Sequence, residues 1–259
     1  MDLQLRGKRA LVSGSTAGIG LAIAKALAKE GASVIVNGRT QERVDAAAAE
    51  VGPGTRGVAA DLGTARGAAR ILAEVPEVDV LVNNVGIFEA KPFTDIPDED
   101  WLRIFETNVL SGIRLSRHYL PRMVGRGWGR VLFISSESGL QIPVEMIHYG
   151  VTKTAQIALS RGLAESVAGT GVTVNAVLPG PTRSEGVGAF VEGLARSKRI
   201  SSAEVEREFF RTMRPTSLLQ RFETPEEVAA AVVFLASPLA SGTTGAAVRV
   251  DGGVVRSIA

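Results

Sequence analysis

The chain has 259 residues, 45% hydrophobic and 22% charged, with a formal net charge of +2. This composition belongs to a chain that buries a large core and excludes a disordered one. There is no cysteine and only His118 and His148 as histidines, which excludes disulfides, thiolate metal sites and a cysteine nucleophile and makes a histidine metal site unlikely to form.

No apolar run approaches the roughly 20 residues of a membrane span. The start, MDLQLRGKRALVSG, lacks the layout of a secretory signal, so a cytoplasmic location without membrane attachment is expected. The basic group RSKR (196–199) has no interleaved aromatics and is followed by the acidic AEVEREFF. It reads as solvated surface, and no nucleic-acid partner is expected.

In chain order, RALVSG (9–14) leads into the helical GLAIAKALAKEG, and SVIVNG (33–38) into QERVDAAAAEVG. RGVAAD (56–61) precedes TARGAARILAEV, and VDVLVNN (78–84) precedes the long stretch DEDWLRIFETNVLSGIRLSRHYLPRM. GRVLFIS (129–135) is followed by YGVTKTAQIALSRGLAESVAG, and VTVNAVLPG (172–180) by a long irregular segment. TPEEVAAAVVFLASP and AAVRVDGG (246–253) close the chain. Apolar runs of this kind read as parallel strands buried on both faces. Their alternation with helices predicts an α/β fold: a Rossmann-like, doubly wound parallel sheet in one domain over 1–259. Thr224 followed by Pro225 marks a helix start, and Gly31 a helix end.

Residues 181 to 224 interrupt this rhythm. They are polar, partly helix-compatible and broken by Gly and Pro. Beyond the carboxyl end of a strand, where open α/β sheets bind ligands, so long a connection predicts a substrate-binding loop or lid.

SGSTAGIG (13–20) joins a strand to a helix. Gly14, Gly18 and Gly20 allow a sharp turn and close approach of a pyrophosphate to the helix N-terminus. After the second strand, VNGRT places Arg39 where an NAD site would carry a carboxylate. A guanidinium binds a 2′-phosphate and a carboxylate repels one, so NADP(H) is the expected cofactor, with NAD(H) possible.

Tyr149 and Lys153 in HYGVTKTA share one helix face. An ammonium beside a phenol favours the phenolate and suits the tyrosine to proton transfer. Ser136 closes the strand upstream, with Ser135 and Ser138 as rivals for its role. Asn108 lies in the long helix before it, placed to hold a water. His148 either touches substrate or acts as a buried spacer.

Together these residues resemble the short-chain dehydrogenase/reductase family, over essentially the whole chain. The family's T-G-x-x-x-G-x-G loop stands here with Ser13 for threonine, and its N-N-A-G as Asn83, Asn84, Val85 and Gly86. The resemblance implies Asn108, Ser136, Tyr149 and Lys153 as the catalytic set: Tyr149 as general acid or base, Ser136 orienting the carbonyl, Lys153 holding the ribose and lowering the Tyr149 pKa, Asn108 anchoring a relay water. It implies a cofactor lying along Gly14, Ser15, Thr16, Gly18, Ile19 and Gly20, past Arg39, Asp61, Leu62, Asn84 and Gly86, to Tyr149, Lys153, Pro179, Gly180 and Thr182. Ser184 stands where the family commonly has a threonine. No metal is expected.

The implied activity is carbonyl–alcohol interconversion on a small molecule, with 3-oxoacyl-thioester reductases among the models, by a homotetramer or homodimer. The alternatives are an NAD-dependent sugar or polyol dehydrogenase and a non-catalytic NADPH-binding regulator. Enoyl reductases are disfavoured because they space tyrosine and lysine more widely.

Overall fold

The computed structural model describes residues 1–258, with the main chain alone at 185–186, 189–190 and 194. All seven apolar runs form strands: β1 (Arg9–Val12), β2 (Ser33–Gly38), β3 (Arg56–Ala59), β4 (Val80–Asn83), β5 (Gly129–Ile134), β6 (Val172–Pro179) and β7 (Ala247–Val250). They make one parallel sheet in the order β3-β2-β1-β4-β5-β6-β7. The chain winds outward from β1 to β3, then returns to β4 and winds the other way. That reversal opens a crevice between β1 and β4 at the carboxyl edge of the sheet. The last run ends early, because Gly252 and Gly253 take positive φ and turn the chain away.

The helices are α1 (Gly18–Lys29), α2 (Gln41–Val51), α3 (Ala65–Glu74), α4 (Asp98–Phe105), α5 (Ser111–Gly125), α6 (Ile147–Ser166), α7 (Glu185–Lys198), α8 (Ser202–Thr212) and α9 (Pro225–Ala236). Strand alternation sends Ala10 and Val12 to one face, against Ile23 and Leu27 of α1 and Val228 and Val232 of α9. Leu11, Leu81, Val131 and Phe133 go to the other, against Ile71 of α3 and Leu115 and Tyr119 of α5. Each such side chain contributes about 1.5–3 kcal/mol on burial, so the two apolar layers hold the sheet edge rigid beneath the crevice.

Two expectations change. The long helix before β5 is interrupted: between α4 and α5, Glu106–Leu110 form a π-helical turn, with Asn108 inside it. The segment 181–224 is not an irregular loop but carries α7 and α8. They close on an apolar cluster of their own, Val191, Val205, Phe210 and Phe222. The rings of Phe209 and Phe210 lie 5.0 and 5.2 Å from that of Phe222. Among the described residues, no helix is long and apolar enough to cross a membrane.

Candidate active site

Every residue singled out from the sequence as catalytic or cofactor-binding, except those on helices, lies at or just past the carboxyl end of a strand. The glycine loop follows β1. Gly14 and Gly18 take φ of +60° and +55°, and a Cβ on Gly20 would sit 2.4 Å from the Gly14 carbonyl oxygen. Neighbouring strands hold the loop in shape. Asn37 Oδ1 accepts from Gly14 N–H at 3.2 Å, while its Nδ2 donates to Val58 and Ala60 of the β3 side. Asn84 Nδ2 donates to the Ser13 and Gly14 carbonyls, and Ser13 Oγ accepts from the Asn84 and Val85 amides. The hydroxyl of Ser13 thus does the joining that the family assigns to threonine.

Helix α1 begins with Ala17 as its N-cap and has no side chain on its first amides and no acid in its first turn. Those donors suit a pyrophosphate. Arg39 and Asp61 stand exposed beyond β2 and β3, a spacing that fits the adenosine half of a dinucleotide. The Asp61 carboxylate accepts from Gly63 N–H. Leu62 buries its side chain in the core, so what it offers a ligand is main chain. Thr16 packs against Gly38, where a Cβ would meet its methyl at 2.4 Å, and Ser15 Oγ donates to the Val12 carbonyl.

On the other side of the crevice Ser136, Tyr149, Lys153, Asn108 and Gly86 come together. A Cβ on Gly86 would lie 3.4 Å from Lys153 Nζ and 3.6 Å from Asn108 Oδ1. Lys153 Nζ donates to the Ile134 carbonyl at 3.0 Å and to Gln156 Oε1 at 3.1 Å. Gln156 Nε2 donates in turn to the Asn108 carbonyl at 2.6 Å. Gln156 thus joins Lys153 to the main chain at Asn108. The Asn108 carboxamide clamps the chain after β4: Oδ1 accepts from Ile87 N–H, and Nδ2 donates to the Ile87 carbonyl and to Thr152 Oγ1. The π-turn is what aims it there.

The serine rivals separate. Ser135 Oγ donates to the Lys153 carbonyl and ties β5 to α6. Ser136 Oγ donates to Glu137 Oε2, and its residue lines the same cavity as Tyr149. Ser138 Oγ also turns to Glu137. His148 is fully buried, with its ring 5.8 Å from that of Trp101, and is not part of the cavity wall.

Burial raises the Tyr149 phenol above its usual range, Glu137 raises it further, and the Ser136 hydrogen bond opposes both. Burial brings Lys153 down to about 7. The expected lowering of the phenol by the lysine is therefore absent in this state. Lys153 Nζ lies over the Tyr149 ring, 5.5 Å from its centroid, and burial disfavours its charged form.

A cavity of about 530 Å³ opens over Ser136 and Tyr149. Ile19, Pro179, Gly180 and Thr182 line its cofactor side, and Phe209, Met213, Arg214 and Phe222 of the 181–224 segment line the other. Thr182 Oγ1 donates to the Gly180 carbonyl, and Ser184 Oγ caps α7 by accepting from Val187 N–H. Sequence reasoning missed Glu137, Glu145 and Arg214, which meet on this wall. Arg214 Nε donates to Glu137 Oε1 at 3.0 Å and its Nη1 to Glu145 Oε1 at 3.2 Å. A glutamate among the serines of FISSESG was a visible signal; its arginine lies 77 residues away and was not.

Known proteins are similar to this chain over its length. A family model described as Enoyl-(Acyl carrier protein) reductase matches residues 14–255. An uncharacterized oxidoreductase of Bacillus subtilis is 51% identical, with all of both chains covered. A 3-oxoacyl-acyl-carrier-protein reductase of Aquifex aeolicus is 35% identical over 98% of this chain and all of the other. The solved L-sorbose reductase of Gluconobacter frateurii, complexed with NADPH and L-sorbose, is 30% identical over the whole of both chains with a TM-score of 0.94. From the family-model match over nearly the whole chain, the full-length identity to known oxidoreductases and the shared fold, the chain belongs to the short-chain dehydrogenase/reductase family of oxidoreductases.

Proposed function

We propose that the protein is an NADP(H)-dependent oxidoreductase that interconverts a carbonyl and a secondary alcohol. The observation that carries this reading is the placing of Ser136 and Tyr149 in the wall of one cavity, with Lys153 one turn along the same helix as Tyr149. When bound, the nicotinamide supplies the hydride or accepts it. Tyr149 gives a proton to the oxygen of the reduced carbonyl or takes one from an alcohol, and Ser136 orients that oxygen. A phenol held protonated by burial suits the proton donor. Lys153 and Gln156 hold the rim where the ribose would lie, and Asn108 keeps the chain after β4 in place. Arg39 faces the position of a 2′-phosphate, which supports NADP(H) over NAD(H).

Although the matching family model carries the name of enoyl reductases, the four-residue spacing of Tyr149 and Lys153 favours a carbonyl substrate. The relatives bracket the substrate range between an acyl thioester and a keto sugar. NADPH consumption against a panel of acyl thioesters, keto sugars and aromatic ketones tests the reading. Tyr149→Phe is expected to lower kcat by about 100- to 10,000-fold while NADPH binding persists. Full activity in that variant would refute the proton-transfer role. Stoichiometric NADPH binding with no turnover of any carbonyl would favour a regulator.

A further inference from the structure

We propose that Glu137 is a substrate-binding residue that selects ketones carrying a hydroxyl on the carbon next to the carbonyl, together with an apolar substituent. The inference rests on the carbonyl reductase reading and narrows its substrate class.

Glu137 follows the serine that orients the substrate oxygen, and its side chain is only 5% exposed. Arg214, itself 10% exposed, holds Oε1. Oε2 accepts from three donors: the Ser136 hydroxyl, the Ser138 amide at 2.8 Å and the Ser138 hydroxyl at 3.1 Å. The Ser136 proton cannot serve two acceptors. When Ser136 turns to a substrate carbonyl, Glu137 Oε2 loses a charge-assisted hydrogen bond at a side chain that is almost wholly buried. Leaving a buried acceptor short in this way is unfavourable, and a donor on the substrate restores it. Ser136 Oγ and Glu137 Oε2 lie in direct hydrogen-bond contact. The carbonyl and hydroxyl oxygens of an α-hydroxyketone, when both lie on one side of the carbon–carbon bond, are close enough together to reach one each. A 3-oxoacyl thioester has only carbon–hydrogen bonds at that position and leaves Oε2 without its partner.

The rest of the cavity narrows the choice. Glu137 and Glu145 share a single guanidinium, Arg214, while Glu89, also in the cavity wall, pairs with Lys91 and Arg103. A carboxylate or phosphate on the substrate would meet excess negative charge there. Phe88, Met146, Val187, Phe209, Met213 and Phe222 give the remaining wall an apolar surface, which suits an alkyl or aryl group. Reduction of such a ketone adds a hydride to the carbonyl carbon and a proton to its oxygen, consuming one NADPH and giving a vicinal diol.

Three ketones test this: 2-hydroxyacetophenone, 2-methoxyacetophenone and acetophenone. The methoxy compound keeps the oxygen and loses the donor. Wild-type kcat/KM is expected to favour the hydroxy over the methoxy ketone by about 10- to 100-fold, the range for one hydrogen bond to a charged group. Glu137→Gln should collapse that ratio. A second readout needs neither turnover nor cofactor: in Tyr149→Phe the hydroxy ketone should raise Tm more than the methoxy ketone at equal concentration. If Glu137→Gln does not fold, the wild-type ratio and the thermal shift still decide. Equal kcat/KM for all three ketones would overturn the selection and leave the reductase reading intact. Turnover confined to ketones without an adjacent hydroxyl would overturn it as well. No NADPH consumption with these or with the wider carbonyl panel would overturn both.

Discussion

Glu223 sits where the 181–224 segment rejoins the sheet, with its amide donating to the Pro181 carbonyl and its own carbonyl accepting from Arg183 N–H. Its carboxyl is buried, and Oε2 has no hydrogen-bond partner. Burial raises its pKa from 4.5 to about 7; Asp251, Glu227 and Glu137 push the same way, against a hydrogen bond from the Gly180 backbone. Between those two values the folded chain holds a proton that the unfolded chain has released. Stability from this group is therefore full below the lower value and falls as pH rises through the higher one, by up to about 1.4 kcal/mol per unit. Glu223→Gln removes the dependence, so the variant's gain in Tm over wild type is expected to be larger at pH 8 than at pH 5. Thermal melts at the two pH values check it, and equal gains would show that Glu223 is ionised without penalty.

Arg39 makes its case at the same scale. It stands exposed just past the end of β2. Arg39→Ala is expected to weaken NADPH binding by about 1.5–3 kcal/mol and NADH binding little. Titration of both cofactors decides, and equal losses would remove Arg39 as the discriminator.

Among the elements, α9 was readable to the residue. Thr224 Oγ1 accepts from Glu227 N–H at 3.3 Å, Glu227 Oε2 accepts from Thr224 N–H at 2.8 Å, and Pro225 opens the first turn. Such a box is local, and the sequence motif is its own cause. Thr224→Ala is expected to lower stability by about 1 kcal/mol, with Thr224→Ser close to wild type. Denaturant unfolding measures it, and an unchanged midpoint would mean that α9 is held by packing on α1 alone. The π-turn at Glu106–Leu110 was not readable. Its flanks carry an ordinary helical pattern, and the reason for the extra residue is the hydrogen bonding of Asn108 to Ile87, a contact across the fold. Helix α7 was hidden for another reason. Gly188 and Gly193 lie within it, and glycine lowers helix propensity by about 1 kcal/mol each, so only packing against α8 and Phe222 makes the segment helical.

For the molecule as a whole, the sheet and the α7–α8 segment are held by separate apolar clusters. The small one is joined to the rest by the Arg214 ion pairs and by the Leu218 and Leu219 amides donating to the Gly252 carbonyl, while the Thr182–Glu223 bridge ties the segment's two ends together. Local opening of α7 and α8 should therefore be easier than global unfolding. Native-state hydrogen exchange is expected to show β4, β5 and β6 amides exchanging only through global unfolding and those of α7 and α8 through a lower-energy opening. Uniform protection would mean that the two clusters unfold as one.

The sequence by itself determined the parallel sheet, the glycine loop and the Tyr149–Lys153 cluster on one helix face. Apolar strands, a glycine turn and a four-residue helical spacing are local patterns whose consequences follow from backbone geometry. Only the tertiary structure decided what surrounds that cluster. Burial, not the neighbouring lysine, governs the Tyr149 phenol, because desolvation depends on everything packed around a group. Likewise Gln156 bridges Lys153 to Asn108, and Arg214 reaches Glu137 across 77 residues of chain. Contacts between distant segments leave no period or spacing in the sequence to read.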